Sequence, residues 1–244
     1  MDDVEEHVRR LWRHRGAEPA PARRGPRRRL ELDEVLDAAV AVADADGLDG
    51  LSTRAVGARL GLSAMGLYPY VGTKEQLLAL AEDHASAMPG WRDPGPDLAA
   101  DLDAWAGRLF ALYREHPWLV DLPWASAPGG PQQQDWLERL LDVLARHDVP
   151  PASRAAVVTA LYAVVRATAQ TAAEYERLDA AGAEAWRERA AATRRLVPDL
   201  DERYPRAAAL APHATHDWRD APRAAVRHVV DVLCHGLAPG AERP

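Results

Sequence analysis

Three residue types are almost missing from this chain. Cys234 is the single cysteine, so no intramolecular disulfide is available. Lys74 is the single lysine and Phe110 the single phenylalanine. Arginine carries nearly all the positive charge, which we read as the composition of a GC-rich coding sequence rather than as chemistry. Also missing is an N-terminal apolar run of the kind a signal peptide or a membrane span requires, so a soluble, cytoplasmic protein without membrane contact is expected. No serine elbow, Walker loop, GxGxxG turn or paired-carboxylate arrangement stands out. An enzyme would have no chemistry to rest on, and no cofactor is expected.

What is present favours helices. Of 244 residues 48% are hydrophobic, enough for a sizeable core, and the length suits a small domain joined to a larger one. Polar–apolar stretches with helical spacing outnumber β-branched alternations, which predicts an all-α protein. The net charge is −7, but its placement is uneven. Residues 1–29 hold nine arginines against five acids, and Arg23, Arg24, Arg27, Arg28 and Arg29 fall within one seven-residue run broken by Gly25 and Pro26. Residues 1–30 are therefore expected to be a basic, flexible arm. Val4, Val8, Leu11 and Trp12 have the spacing of a short amphipathic helix, but one too short to be stable alone.

From Leu32, Val35, Leu36, Ala39, Val40 and Ala43 recur with helical spacing until Gly47. Ser52 is a candidate N-cap for a second helix that turns Val56 and Leu60 inward. Gly61 supplies a tight turn, and Ser63 caps a third helix. Thr73 caps a fourth, with Glu75 and Gln76 in its first turn and Leu77, Leu78 and Ala81 facing inward. Two short helices joined by a glycine turn form a helix-turn-helix, so residues 31–88 are expected to be a helix-turn-helix domain. The segment Met88 to Pro96 is broken by prolines and glycines and marks the boundary. Residues 97–244 then form a larger helical domain, with helices predicted at about 97–115, 132–147, 152–180, 183–196 and 221–237.

The segment LSTRAVGARLGLSAMGLYPYVGTKEQLL, preceded by a helix from Leu32, resembles the DNA-binding domain of the tetracycline-repressor (TetR) family over about residues 32–86. Ser52-Thr53-Arg54, Leu60-Gly61-Leu62-Ser63, Leu67-Tyr68 and Lys74 carry that resemblance, and the tetrapeptide His116 to Leu119 matches more loosely. The resemblance implies a double-stranded DNA operator as partner, with the third helix in the major groove and its neighbours on the phosphates. Thr53 and Arg54 would then reach a phosphate or a guanine edge, while Ser63, Ala64, Met65 and Gly66 face the bases. Tyr68, Tyr70 and Lys74 stand where donors to phosphate oxygens are wanted. Pro69 lies inside the short reader helix and is expected to shorten or tighten its last turn. Ala64, Met65 and Gly66 bring no side-chain hydrogen bond to a base, so readout leans on thymine methyl groups, Arg54 and DNA shape. Arg27 and Arg28 are candidates for the neighbouring minor groove.

In the larger domain Trp105, Phe110, Tyr113, Trp118, Trp124 and Trp136 cluster near His116 and opposite Tyr162, Arg166 and Gln170. These are core residues or the lining of an apolar cavity with a few polar anchors. The resemblance implies a small-molecule effector in this region. Ala155, Val158, Ala169 and Ala172, with the stripe Val226, Val229, Val230 and Leu233, are expected to form the interface of a homodimer. His213, His216 and Asp217 lack a fourth partner and are not expected to hold a metal. Where tetracycline-binding members place a metal-coordinating histidine, this chain reads Val120-Asp121-Leu122-Pro123. Two functions remain open: a repressor released from a palindromic operator by a small molecule, or a DNA-binding regulator whose second domain serves only dimerisation or protein contacts.

Overall fold

Four helices in the first third of the chain start where a polar side chain satisfies an otherwise orphaned backbone donor. A computed structural model describes residues 2–16, 30–88, 90–91, 93–123, 128–177, 180–210 and 221–237, and no strand occurs among them. The N–H of Glu31 donates to the Glu34 carboxylate at 2.7 Å where α2 (Leu32–Gly50) begins. Ser52 Oγ accepts from the Ala55 N–H at 3.1 Å and opens α3 (Thr53–Leu60). Ser63 Oγ accepts from Gly66 at 3.2 Å and opens α4 (Ala64–Val71). Thr73 and Gln76 exchange bonds of 3.2 and 2.9 Å in a reciprocal capping box at the head of α5 (Lys74–Ala85). Val35, Leu36 and Ala39 of α2, Val56 of α3, Leu67 and Val71 of α4 and Leu77 and Leu80 of α5 are buried together.

Ahead of these lies α1 (Asp2–Leu11). Residues 2–16 are not the flexible arm expected from their composition. The helix packs on α5, Leu11 is buried, and Arg13 Nε donates to the Asp33 carboxylate at 2.9 Å. Gln76 Nε2 donates to Asp3 at 3.2 Å, and Arg15 pairs with Asp135 of the second domain. A ten-residue helix is marginal alone, but here a ready-made apolar and charged surface receives it. The run from Arg23 to Arg29, including Arg27 and Arg28, lies outside the described residues.

The second domain comprises α6 (Leu98–Glu115), a 3-10 turn (Pro117–Asp121), α7 (Pro131–Arg146), α8 (Pro151–Arg177), α9 (Ala180–Leu196), the short α10 (Leu200–Arg203) and α11 (Pro205–Leu210), and α12 (Ala221–Leu237). The 3-10 turn and the two short helices carry too few residues to show a period and are not apparent from sequence spacing. By length and composition α8 is apolar enough to cross a membrane, yet its Val157, Leu161, Val165 and Ala169 are buried where it packs against α6, α7, α12 and the 3-10 turn. Trp105 stands at the centre, fully buried. Its indole N–H donates to the Trp136 carbonyl oxygen at 3.1 Å, and its ring meets Trp136 and Tyr162 edge-on at 5.8 and 4.9 Å.

Candidate functional site: a helix-turn-helix and a cavity beneath it

The turn between α3 and α4 is closed by two backbone bonds. Gly61 takes φ +66°, its N–H donates to the Ala58 carbonyl at 3.3 Å, and the Leu62 N–H donates to the Gly57 carbonyl at 2.8 Å. This is a Schellman closure, and glycine takes the left-handed position without steric cost. Gly57 is required for a different reason: a Cβ there would stand 2.8 Å from the Leu62 carbonyl oxygen. The two helices therefore meet closely, and α4 turns one face outward. Met65 is 75% and Tyr68 48% exposed, while Leu67, Tyr70 and Val71 are buried beneath them. Pro69 lies on the exposed side without ending the helix, which runs to Val71 and closes with the Gly72 N–H on the Tyr68 carbonyl at 3.0 Å. The expected shortening of the last turn is thus corrected.

Below this unit a cavity of about 310 Å³ opens between α5, α6, the 3-10 turn, α7 and α8. Leu109, Leu112, Leu119, Leu122, Val158 and Trp136 make its apolar wall. Its polar side chains are Glu82, Ser86, Tyr113, Gln133, Gln134, Tyr162 and Arg166. Burial, reinforced by the neighbouring Asp83 carboxylate, pushes Glu82 up to about 7. Burial likewise raises Asp83 to about 6 against the opposing hydrogen bonds from the α7 backbone. It raises the Tyr113 hydroxyl to about 12 and the Tyr162 hydroxyl further still, so both stay protonated and able to donate. The Gln132 N–H donates to Asp83 at 3.0 Å, Gln133 Nε2 donates to Glu82 at 3.0 Å, and Trp136 Nε1 donates to the Ser86 carbonyl at 2.9 Å. The last helix of the first domain is thus fastened to the start of α7 at the cavity's edge.

A family model described as bacterial regulatory proteins, tetR family, matches residues 35–81. The chain is 40% identical over 151 residues to the HTH-type transcriptional repressor DrrR1 of Streptomyces coeruleorubidus, covering 58% of this chain and 52% of the relative. It is 33% identical over 110 residues to an HTH-type transcriptional regulator of Saccharopolyspora erythraea, covering 42% of this chain and 44% of the relative. The chain spans about half the length of these two relatives. The apo ActR crystal structure from Streptomyces coelicolor shares the fold at TM-score 0.69 and 22% identity, over 85% of this chain and 96% of that one. ActR in complex with actinorhodin shares it at 0.72 and 23%, over 87% and 99%. Residues 35–81 thus match the tetR family of bacterial regulatory proteins, and the chain shares its fold with the ActR structures.

Within this fold the residues singled out from sequence separate into groups. Arg54, Ser63, Met65, Tyr68, Pro69 and Lys74 are exposed around α4, with Thr53, Ala64 and Gly66 half-buried beside them. Tyr70 does not belong to that surface. It is buried, and its hydroxyl accepts from the Leu30 N–H at 3.3 Å, bracing the approach to α2. Of the expected cavity residues, Tyr113, Trp136, Tyr162 and Arg166 line the cavity. Trp105 and Phe110 are packed in the core, and Gln170 is exposed. His116 Nδ1 and the Trp118 indole N–H both reach Asp44 Oδ1 at 2.8 Å, so they join the 3-10 turn to α2 instead of facing a ligand. Trp124 lies outside the described residues, as do His213, His216 and Asp217. Glu82, Ser86 and Gln133 were missed because, by sequence, they are ordinary polar positions on two helices.

The expected interface residues also divide. Ala169, Ala172, Val226 and Val230 are buried within the chain, where α8 and α12 pack on one another and α12 packs on α6. They are core, because an apolar stripe with helical spacing serves the nearest partner first. Val158 faces the cavity, and Val229 and Leu233 are half-buried. Ala155 is exposed, and it shares the outward face of α8 with Thr159, Ala163 and Ala167; Val232 on α12 is exposed as well.

Proposed function

We propose that this chain is a DNA-binding transcriptional regulator that acts as a homodimer on a palindromic operator and is released from it by a small molecule held in the cavity. The observation that carries this reading is the position of α5. It follows the reader helix α4 directly, and its far end supplies Glu82 and Ser86 to the cavity wall. A ligand that displaces α5 or the start of α7 changes the pose of α4. Interactions that differ between the ligand-bound and DNA-bound poses are what a ligand needs to shift the equilibrium.

Met65 and Tyr68 offer a methyl-contacting side chain and a hydroxyl donor to the groove and its phosphates, and Lys74 adds a charge at the head of α5. The 40% identity to a named repressor and the fold shared with ActR, which was crystallised with actinorhodin, support repression and a small-molecule effector. The outward face of α8, small and alanine-rich, and the exposed Val232 of α12 support a two-fold pairing of helices from two copies.

Selection of bound sequences from random duplex DNA tests the reading. The expected product is an inverted repeat whose half-sites lie about one helical turn apart or slightly more. Failure to enrich any sequence would refute it, and enrichment of a lone half-site would refute the dimer.

A further inference from the structure

Two charged side chains open onto the cavity, Glu82 from α5 and Arg166 from α8. Their situations differ. The Arg166 guanidinium donates Nε and Nη2 to the Val120 carbonyl at 3.2 and 2.7 Å, and Nη2 also reaches the Leu122 carbonyl. Its donors thus serve the wall by holding the 3-10 turn. Among the described residues, Gln133 is the side chain that donates to the Glu82 carboxylate, a neutral amide at 3.0 Å, and Glu82 forms no salt bridge.

An ionised carboxylate accepts about four hydrogen bonds, and burying one against apolar walls is costly without a cation. The surroundings sharpen that need. Asp83 on the same helix adds negative charge, Arg166 on α8 offsets part of it, and Tyr113 on α6 is neutral. Asp83 itself is engaged with the α7 backbone and faces Arg13 and Asp135. Apart from Ser86, Gly129, Gln133 and Gln134, the remaining wall is leucine, valine and proline with the rings of Tyr113, Trp136 and Tyr162, a lining that suits a flat aromatic body.

We infer that the cavity takes an aromatic amphiphile bearing one protonated amine, with Glu82 as the residue that holds the amine. This rests on reading the cavity as the effector site. The amine supplies the donors and the positive charge that Glu82 lacks, while the aromatic body fills the apolar volume. Because Asp83, next along α5, caps the start of α7, an amine drawn onto Glu82 acts on the joint between the two domains.

Calorimetric titration of the full chain with 1-naphthylmethylamine, 1-naphthalenemethanol and 1-naphthoate, which share one ring system and differ in charge, tests the inference. At about pH 8 the amine should bind about tenfold more tightly than the alcohol, with the acid weakest. Glu82 takes up a proton as pH falls through about 7, so the amine's advantage should shrink towards pH ~6. In Glu82→Gln the amine and alcohol should bind alike at both pH values. If that variant does not fold, the pH dependence in the unmodified chain carries the test. Equal affinity of amine and alcohol would overturn the inference and leave the effector cavity standing. Tightest binding by the acid would overturn it in favour of an anion at Arg166. No binding by any of the three at millimolar concentration would overturn the effector cavity and this inference with it.

Discussion

Gly66 and Gly57 sit nine residues apart, and a methyl group would mean different things at each. A Cβ on Gly66 would meet Ser63 Oγ at 3.5 Å and the Leu62 side chain at 3.6 Å, both ordinary contacts. No contact inside the chain demands glycine there, so the bare, half-buried backbone next to the exposed Met65 leaves room for close approach of a partner. Gly66→Ala should therefore stabilise the chain by about 0.5–1 kcal/mol while weakening DNA binding several-fold. A thermal melt and a binding titration read the two effects, and unchanged affinity would show that this backbone does not meet DNA. Gly57→Ala should instead cost about 1–3 kcal/mol, because the opposing Leu62 carbonyl is fixed by the turn. Glu82 carries the residue-scale pH prediction. Its folded value is raised from 4.5 to about 7, so between those values the folded chain holds a proton that the unfolded chain has released. Stability from this group thus falls as pH rises through the window, and the cost is complete above about 7. Asp33 runs the other way: burial raises it, but hydrogen bonds from Arg13 and His14 outweigh burial, and its contribution is lost only in acid. Glu82→Gln should match the parent melting temperature near pH 5 and exceed it near pH 8, a gain on the order of 1 kcal/mol once partial solvent exposure is discounted. A gap that does not change with pH would contradict the assignment.

At the scale of elements, α1 separates composition from structure. Its acids and arginines resemble a solvated tail, but Leu11 is buried and Arg13 pairs with Asp33 twenty residues away. Removing residues 1–16 should lower the melting temperature by several degrees, because it uncovers apolar surface on α5 and leaves Asp33 and Asp135 without their arginines. An unchanged melt would mean that the docking contributes nothing. The docking was not legible in the sequence because its partners lie on α2, α5 and α7, and periodicity reports only that a face exists. The helix-turn-helix was legible because its determinants are local: Ser52, Ser63 and Thr73 cap within three residues, and Gly61 turns within one. Tyr70 shows the limit of that locality. Its place next to exposed neighbours suggested a donor to phosphate, while the 3.6-residue turn carries it inward to Leu30. The cavity was half legible, since large rings mark an aromatic region but cannot say which ring becomes core, as Trp105 does, and which becomes wall, as Trp136 does.

At the scale of the whole molecule, two domains share one continuous core and are joined at two polar seams. Asp44 of α2 receives His116 and Trp118, while Glu82, Asp83 and Ser86 of the α5 end meet α7. A dimer must use what this core leaves outside. Ala163→Glu or Val232→Glu places a charge on the outward faces of α8 and α12 and should yield a folded monomer with weakened operator binding. Val230→Glu buries the charge inside the chain and should unfold it. Sedimentation with circular dichroism separates the two results, and a folded dimer in both outward variants would mean that the chain pairs elsewhere. Docking of α4 and the head of α5 on duplex DNA is the interaction on which the proposed regulation depends. Its most direct test is a fluorescence-anisotropy titration of a selected duplex at several salt concentrations, comparing the parent chain with Lys74→Ala and Tyr68→Ala. Binding should be weaker in both variants, with the salt slope of Lys74→Ala lower by about one ion; unchanged affinity and slope in both would rule out docking through this surface.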